Sequence, residues 1–413
     1  RAINEHAISL INYHCGLQRL DPADFSSLDL EIRKILIGHK VHLRPGCGER
    51  LYLPRTEMGR GLQNVEMRSE MMLLQLHTTL EGSRNFSTRR AVILQKEEEA
   101  RTHLALIHSY LEIKYGLENV TLKGLGAAQK ELLYNEINKK YSHSKLYRSR
   151  SNQLVSMEDS SIWMKYGNNR PRLEANACYI QDRNVFWGTG PTRCQHCGDS
   201  RKTVDHLATR CARLLGHDYT RRHNEVVRCL HLHLLNKYKF RRSKRLRSHS
   251  VQEVVENDLA EIRVDTRIKT DILIKHNRPD IFVFDKKAGV ITLIEVGITS
   301  QDQLNIVETE KKRKYDLLAN ELALLYKAKT RIIPYVMTWD GVVTKYHRSH
   351  VKEIGLPRNV EAYVQTLVLH KTLETISLEK RRSIDEDVDC HEAVSAAVDR
   401  LCENGDSQTA LDK

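Results

Sequence analysis

Apolar positions in "SSLDLEIRKILIGH" recur at three- and four-residue steps, and the same period governs most of residues 1 to about 80, which therefore read as helical. "VHLRPGCGERLYLPRTEMGRGLQNV" breaks that period with Pro45, Pro54 and several glycines, marking a loop-rich connection. Helical spacing returns over residues 87 to 140, clearest in "LQKEEEARTHLALIHSYLEIKYG". The basic, polar "NKKYSHSKLYRSRSNQ" reads as a linker from about 138 to 153. "SSIWMKYGNNRPRLEANACYIQDRNVFW" leads into a cysteine cluster, followed by a helix through "RRHNEVVRCLHLHLLNKY". From about 250 to 345 the pattern predicts helix, strand, strand, helix, strand. The segments are "VQEVVENDLAEI", a hairpin of "IFVFD" and "VITLIE", then "QLNIVETEKKRKYDLLANELALLY" and "TRIIPYVMTW". The end of the chain turns acidic and reads as a loosely held tail. There is no internal repeat.

The hairpin carries an acid at each end. Four residues, Lys286 to Gly289, separate its two apolar runs. Pairing of Asp285 with Val290 then sets Asp280 directly across from Glu295. Opposed residues hold their Cβ atoms about 5 Å apart, close enough for both carboxylates to reach one divalent cation. Both faces of the hairpin are apolar, as for central strands covered by helices. The arrangement suggests a PD-(D/E)xK nuclease, yet Gly297 stands where the motif's lysine belongs. A helical wheel over the next segment puts Leu304, Val307, Tyr315, Leu318, Leu322 and Leu325 on one stripe. Lys311 falls inside it, Lys312 and Lys314 lie at its edges, and Arg313 points away. Lys311 is thereby aimed at the carboxylates, where it would stabilise charge on a scissile phosphate. The plainer alternatives are strand-end acids at a solvent edge and a solvated lysine run.

Cys194, Cys197, His206 and Cys211 follow a C-x2-C-x8-H-x4-C spacing, the Cys3His set of a structural zinc, with Gly198 suited to the knuckle's tight turn. All four positions are filled, so this metal would build structure and leave no place for a catalytic water. Nine cysteines, odd in number and unevenly spread, do not resemble a disulfide framework, and the cluster of three is better explained by metal in a reducing compartment. The 413 residues, 40% of them hydrophobic, are enough for two or three domains. A net charge of +13 points to a polyanionic partner. The run from Lys237 to His249 holds seven Lys or Arg and no acid, suited to a phosphate backbone or a nuclear import signal. Arg222 and His223 stand near the cysteine cluster as further phosphate contacts. No run of 18 apolar residues exists, which argues against a membrane span. The chain begins mid-pattern at Arg1 and reads as a piece of a longer polypeptide.

Taken in order, these motifs resemble the C-terminal part of the polyprotein of non-LTR (type-1) retrotransposons that carry a restriction-like endonuclease. The matching residues are "LDLEIRKIL", "ERLYLPRTEMGRGL", "IQDRNVFW", the four knuckle residues, "RRHN", "RPD" at 278 to 280, Glu295 and "KKRKY". They span about residues 1 to 345. In that family the nuclease lysine sits on the helix after the Glu strand, so Gly297 is expected, and Lys311 and Lys314 occupy the matching positions. The resemblance implies nicking of target DNA to prime reverse transcription. The polymerase's paired aspartates are absent, since no Asp-Asp pair occurs, so the chain is not expected to polymerise by itself.

The expected fold is α+β and multi-domain, with a helical thumb and linker, a CCHC zinc knuckle, and an α/β PD-(D/E)xK-type domain with a small central mixed sheet. The expected boundaries are 1–80 thumb-like, 81–190 linker, 191–249 knuckle and basic helix, 250–350 nuclease, and 351–413 C-terminal helix and acidic tail. Asp280 and Glu295 would hold Mg²⁺, with Lys311 and Lys314 as the catalytic lysines, and the knuckle would hold Zn²⁺. Nucleic acid would meet Arg222, His223, Lys239, Arg241, Arg242, Lys244, Arg245 and Arg247. The expected partners are target double-stranded DNA, the element RNA and the rest of the polyprotein, in the nucleus. A non-catalytic zinc-dependent nucleic-acid-binding fragment, decayed or domesticated, is the alternative.

Overall fold

The structure is a computed structural model that describes residues 2–15, 20–91, 103–183, 185–186, 193–194, 196–198, 201–240, 246 and 248–377. The chain divides into two compact units, Arg1–Tyr147 and Arg148–Lys413. The first unit is helical, and the second is built around a small five-stranded mixed sheet, so the described chain is α+β.

In the first unit α1 (Ser26–Gly38) supplies Asp29, whose carboxylate accepts the Val65 and Glu66 amides at 2.9–3.1 Å. Those amides open α2 (Val65–Glu81), and Asn64 caps the same end by accepting the Met67 amide at 2.8 Å. Leu73 and Leu74 of α2 pack with Ile107 and Leu111 of α3 (His103–Tyr115) and Leu125 of α4 (Leu122–Asn138). The loop-rich "ERLYLPRTEMGRGL" has a packing reason for its first glycine. A Cβ on Gly59 would lie 2.0 Å from the Leu53 carbonyl oxygen. The expected linker at 138–153 is instead largely helical. Tyr141–Tyr147 forms α5 and buries His143, Ser144, Leu146 and Tyr147, because its aromatic and apolar positions find partners that its charge conceals. The boundary between the units falls just after it.

In the second unit β1 (Val254–Glu256), β2 (Ala260–Val264), β3 (Ile281–Asp285), β4 (Val290–Thr299) and β5 (Lys329–Thr338) lie in chain order across the sheet. Neighbours are antiparallel except β4 and β5, which are parallel. The helix expected over 251–262 is therefore corrected to a hairpin, β1 to β2. Asn257 makes the turn: its side-chain oxygen accepts the Leu259 and Ala260 amides at 2.9 and 2.8 Å, and its own amide donates to the Ala260 carbonyl at 3.0 Å. Alternation along β3 and β4 splits the core in two. Ile281, Val283, Ile294 and Val296 face α8 (Thr220–Lys237), which follows α6 (Pro171–Gln181) and α7 (Val204–Thr209). Phe282, Ile291 and Leu293 face Tyr315, Leu318 and Leu322 on the opposite side.

The single long helix expected between β4 and β5 is two, α9 (Leu304–Arg313) and α10 (Asp316–Tyr326). The break falls at Tyr315, which leaves helical geometry (φ −114°, ψ 16°), buries its ring and donates its hydroxyl to the Arg278 carbonyl at 2.7 Å. After β5 come α11 (His347–Ile354) and α12 (Arg358–Ser377). α12 places Val364, Leu367, Val368 and Ile376 in the main core. Residues from 378 on, the expected acidic tail among them, lie outside the described residues.

Candidate active site and metal centre

Asp285 pairs with Val290 and Ile281 with Ile294, so the register carries Asp280 to the position opposite Glu295. The two residues are coupled through the backbone as well. The Val296 amide donates to Asp280 Oδ2 at 2.7 Å, and the Asp280 amide donates to Glu295 Oε2 at 3.3 Å. Glu295 is 1% exposed, a depth at which an unpaired carboxylate is costly. Two ammonium groups meet it. Lys311 Nζ from α9 and Lys314 Nζ from the break both lie 2.7 Å from Glu295 Oε1. The sequence wheel singled out Lys311 and put Lys314 at the margin. Lys314 keeps helical geometry (φ −53°, ψ −32°), and lying one turn on from Lys311 it reaches the same oxygen.

Gly297 explains why the lysine is not on the strand. A Cβ there would sit 3.1 Å from Val336 Cγ2 and 3.4 Å from Val307 Cγ1. The glycine lets α9 lie close over β4, and that closeness brings Lys311 within reach of Glu295.

His223, at the start of α8, stands 3.0 Å from Asp280 Oδ2 through Nε2. Burial disfavours the charged imidazole, but the hydrogen bond and charge of Asp280 outweigh it and raise the His223 pKa above its ordinary value. Burial likewise works against the Asp280 carboxylate, while His223, Lys311 and the Val296 amide prevail and lower its pKa. For Lys314, burial opposes the charge and the Glu295 hydrogen bond overrides it, so its pKa rises. His223 was expected on a phosphate-binding surface, 57 residues away from the acid it meets. Nothing in the linear sequence signals that meeting.

Arg222, its neighbour, is corrected outright as a phosphate contact. It is 1% exposed, donating through Nη1 to Thr372 Oγ1 at 2.9 Å and through Nη2 to the Ala208 carbonyl, so it ties α8 to α12 and α7. Lys239 is exposed. Arg241, Arg242, Lys244, Arg245 and Arg247 lie outside the described residues. A basic surface not singled out from the sequence lies beside the acids. A cleft of about 630 Å³ is lined by Arg267, Lys275, His276, Arg278, Lys314 and Tyr315 among others. Its charges are scattered along the loop between β2 and β3, which hides them from any search for charge runs.

The ligand atoms of Cys194, Cys197, His206 and Cys211 all lie within 4.8 Å of one another. Cys194 and Cys211 Sγ are 3.8 Å apart, and Cys197 Sγ is 3.4 Å from His206 Nε2. Sulfurs about 2.3 Å from one tetrahedral ion stand about 3.8 Å apart, so the set can hold a metal ion. Gly198 takes φ +72°, the left-handed turn that the knuckle requires. Thr203 Oγ1 accepts the His206 amide at 3.1 Å and caps α7, which carries the histidine.

Arg183, inside "IQDRNVFW", fastens this knuckle to the sheet. Its guanidinium holds both Asp205 oxygens at 3.0 Å and Asp340 Oδ2 at 2.8 Å, and lies 4.8 Å over the Trp339 ring. Trp339 Nε1 donates to Asp205 Oδ1 at 3.1 Å, closing the network.

No known protein family model and no curated protein matches the chain. Among the described residues no helix is long and apolar enough to cross a membrane.

Proposed function

We propose that the second unit is a metal-dependent DNA endonuclease of the PD-(D/E)xK kind that takes its lysines from a helix, and that it belongs to a retrotransposon polyprotein nicking DNA to prime reverse transcription. One observation carries the reading: two lysines at the C-terminal end of α9 meet at the buried Glu295, directly across the strand pair from Asp280. Both acids offer hard oxygen donors, and Asp280 Oδ1 has no hydrogen bond among the described residues. Both lysine ammonium groups lie on Glu295 Oε1, so a cation bound there would take over the charge they now supply. Mg²⁺ held by Asp280 and Glu295 would polarise the scissile phosphate and acidify the attacking water. Lys311 and Lys314 would stabilise the negative charge that develops on the phosphate. His223 would hold the Asp280 carboxylate in one orientation, and the basic cleft at Arg267, Lys275 and Arg278 would bind the flanking backbone. Zn²⁺ on Cys194, Cys197, His206 and Cys211 would keep the knuckle folded against the sheet. Target double-stranded DNA and the element RNA are the partners in this reading, and the nucleus is its place.

The test is nicking of supercoiled plasmid with and without Mg²⁺. The wild-type chain is expected to nick only with the ion. Asp280→Asn and Glu295→Gln are expected to abolish nicking while gel-shift affinity for the same DNA stays within about twofold. Acid variants that still nick would overturn the nuclease reading. A wild-type chain that binds DNA and never nicks would leave a zinc-dependent binding module.

A further inference from the structure

The first unit holds a second convergence of metal-ligating groups, far in sequence from the knuckle and unused by the nuclease reading. His77 and Glu81 stand four apart near the end of α2, and that spacing puts both on one helical face. His108 comes from α3, whose Ile107 and Leu111 pack on Leu73 and Leu74 of α2. One donor atom from each of the three residues lies within 4.8 Å of the other two. His77 Nδ1 is 3.4 Å from Glu81 Oε2, and the two imidazole rings meet edge to face with centroids 4.6 Å apart. Donors about 2.0–2.1 Å from a tetrahedral ion stand about 3.4 Å apart, so small side-chain rotations bring all three to one centre.

We propose that His77, Glu81 and His108 bind one Zn²⁺ ion that bridges α2 and α3. Three arguments converge. The hydrophobic contact between the two helices fixes the backbones, so the donors are held together before an ion arrives. The donor set is two imidazole nitrogens and one carboxylate oxygen, which favours zinc and its late first-row neighbours over magnesium or calcium. Burial is graded in the right sense: His77 is buried, while the Glu81 side chain is half exposed. An ion there has an entry path, and water would fill the fourth position on the Glu81 side. The site needs neither the knuckle nor the nuclease reading to be correct.

The experiment is a zinc titration of the full chain, stripped of metal and followed by calorimetry, with cobalt substitution as a second readout. Two equivalents are expected for the wild type. Cys197→Ser should keep the equivalent without sulfur ligands, and His108→Ala should keep only the knuckle's. With cobalt, the knuckle equivalent shows intense thiolate charge-transfer absorption, and the second shows weak d–d bands alone. Those bands should vanish in His108→Ala. Glu81→Gln, changed at an exposed side chain with little risk to folding, should weaken the second equivalent by at least about tenfold. A single wild-type equivalent that Cys197→Ser removes would overturn the proposal, and so would a Glu81→Gln protein that titrates like wild type.

Discussion

Lys311 and Lys314 share one carboxylate oxygen of Glu295 at the same 2.7 Å, and that equality sets what their substitution should do. Removing either leaves an ammonium on Glu295, so the buried acid stays paired and the fold is kept. Lys311→Ala and Lys314→Ala are each expected to slow plasmid nicking by roughly 100- to 1,000-fold, and the double variant by more than either. Arg313 is exposed, and Arg313→Ala should nick like wild type. Time courses of supercoiled DNA loss measure all four. Either single variant proving as inactive as the double would show that one lysine does the whole task. At this scale the acids were legible, because hairpin spacing fixes which residues oppose each other. Lys311 was legible from helical phase. His223 was not, since its partner is brought to it only by the packing of α8 on the sheet.

At the scale of elements, the question raised by Gly297 becomes one of helix-to-strand distance. Val336 and Val307 flank the glycine closely, and Val336 is fully buried with no room to retreat. Gly297→Val is expected to destabilise the second unit by about 1–3 kcal/mol through overpacking. It should also push α9 outward, so nicking should fall further than the loss of folded protein explains. Urea unfolding beside nicking per folded molecule separates the two effects. Gly297→Val with wild-type stability and nicking would mean that the approach of α9 does not depend on the glycine. The kink at Tyr315 belongs to the same scale. No glycine or proline announces it, and the continuous wheel carried through it. The buried tyrosine hydroxyl on Arg278 shows why the helix yields there.

At the scale of the molecule, α12 is bound to the rest of the second unit by a buried polar cluster. His347 Nε2 lies 2.8 Å from Glu361 Oε1, and Tyr335 donates its hydroxyl to Glu361 Oε2 at 2.5 Å. Burial disfavours the charged imidazole, but Glu361, with Asp159 and Glu308 behind it, outweighs burial and raises the His347 pKa. A raised pKa in the fold means that the pair's contribution is fully present below the imidazole's ordinary value and is lost as pH rises through the folded value. The urea midpoint of the second unit should therefore fall as pH climbs from about 6 into the alkaline range. His347→Gln should lose that share of the slope, while the remaining pH dependence stays common to both proteins. Superimposable pH profiles would show that the histidine is neutral in the folded chain.

What the sequence determined by itself is whatever rests on local spacing. The opposed acids of the hairpin, the cluster of Cys194, Cys197, His206 and Cys211, the helices with clean period and the strand with its apolar run all follow from the geometry of neighbouring residues. Tertiary structure decided the rest, because burial is a property of partners and not of the chain alone. "VQEVVENDLAEI" satisfies a helical period as well as a hairpin, and the sheet edge offered by β3 selects the hairpin. Arg222 and Arg183 have the composition of nucleic-acid contacts, and the fold spends both on joining helices, knuckle and sheet. Tyr315 breaks the helix where its hydroxyl meets the Arg278 carbonyl, a partner that only the fold brings to it.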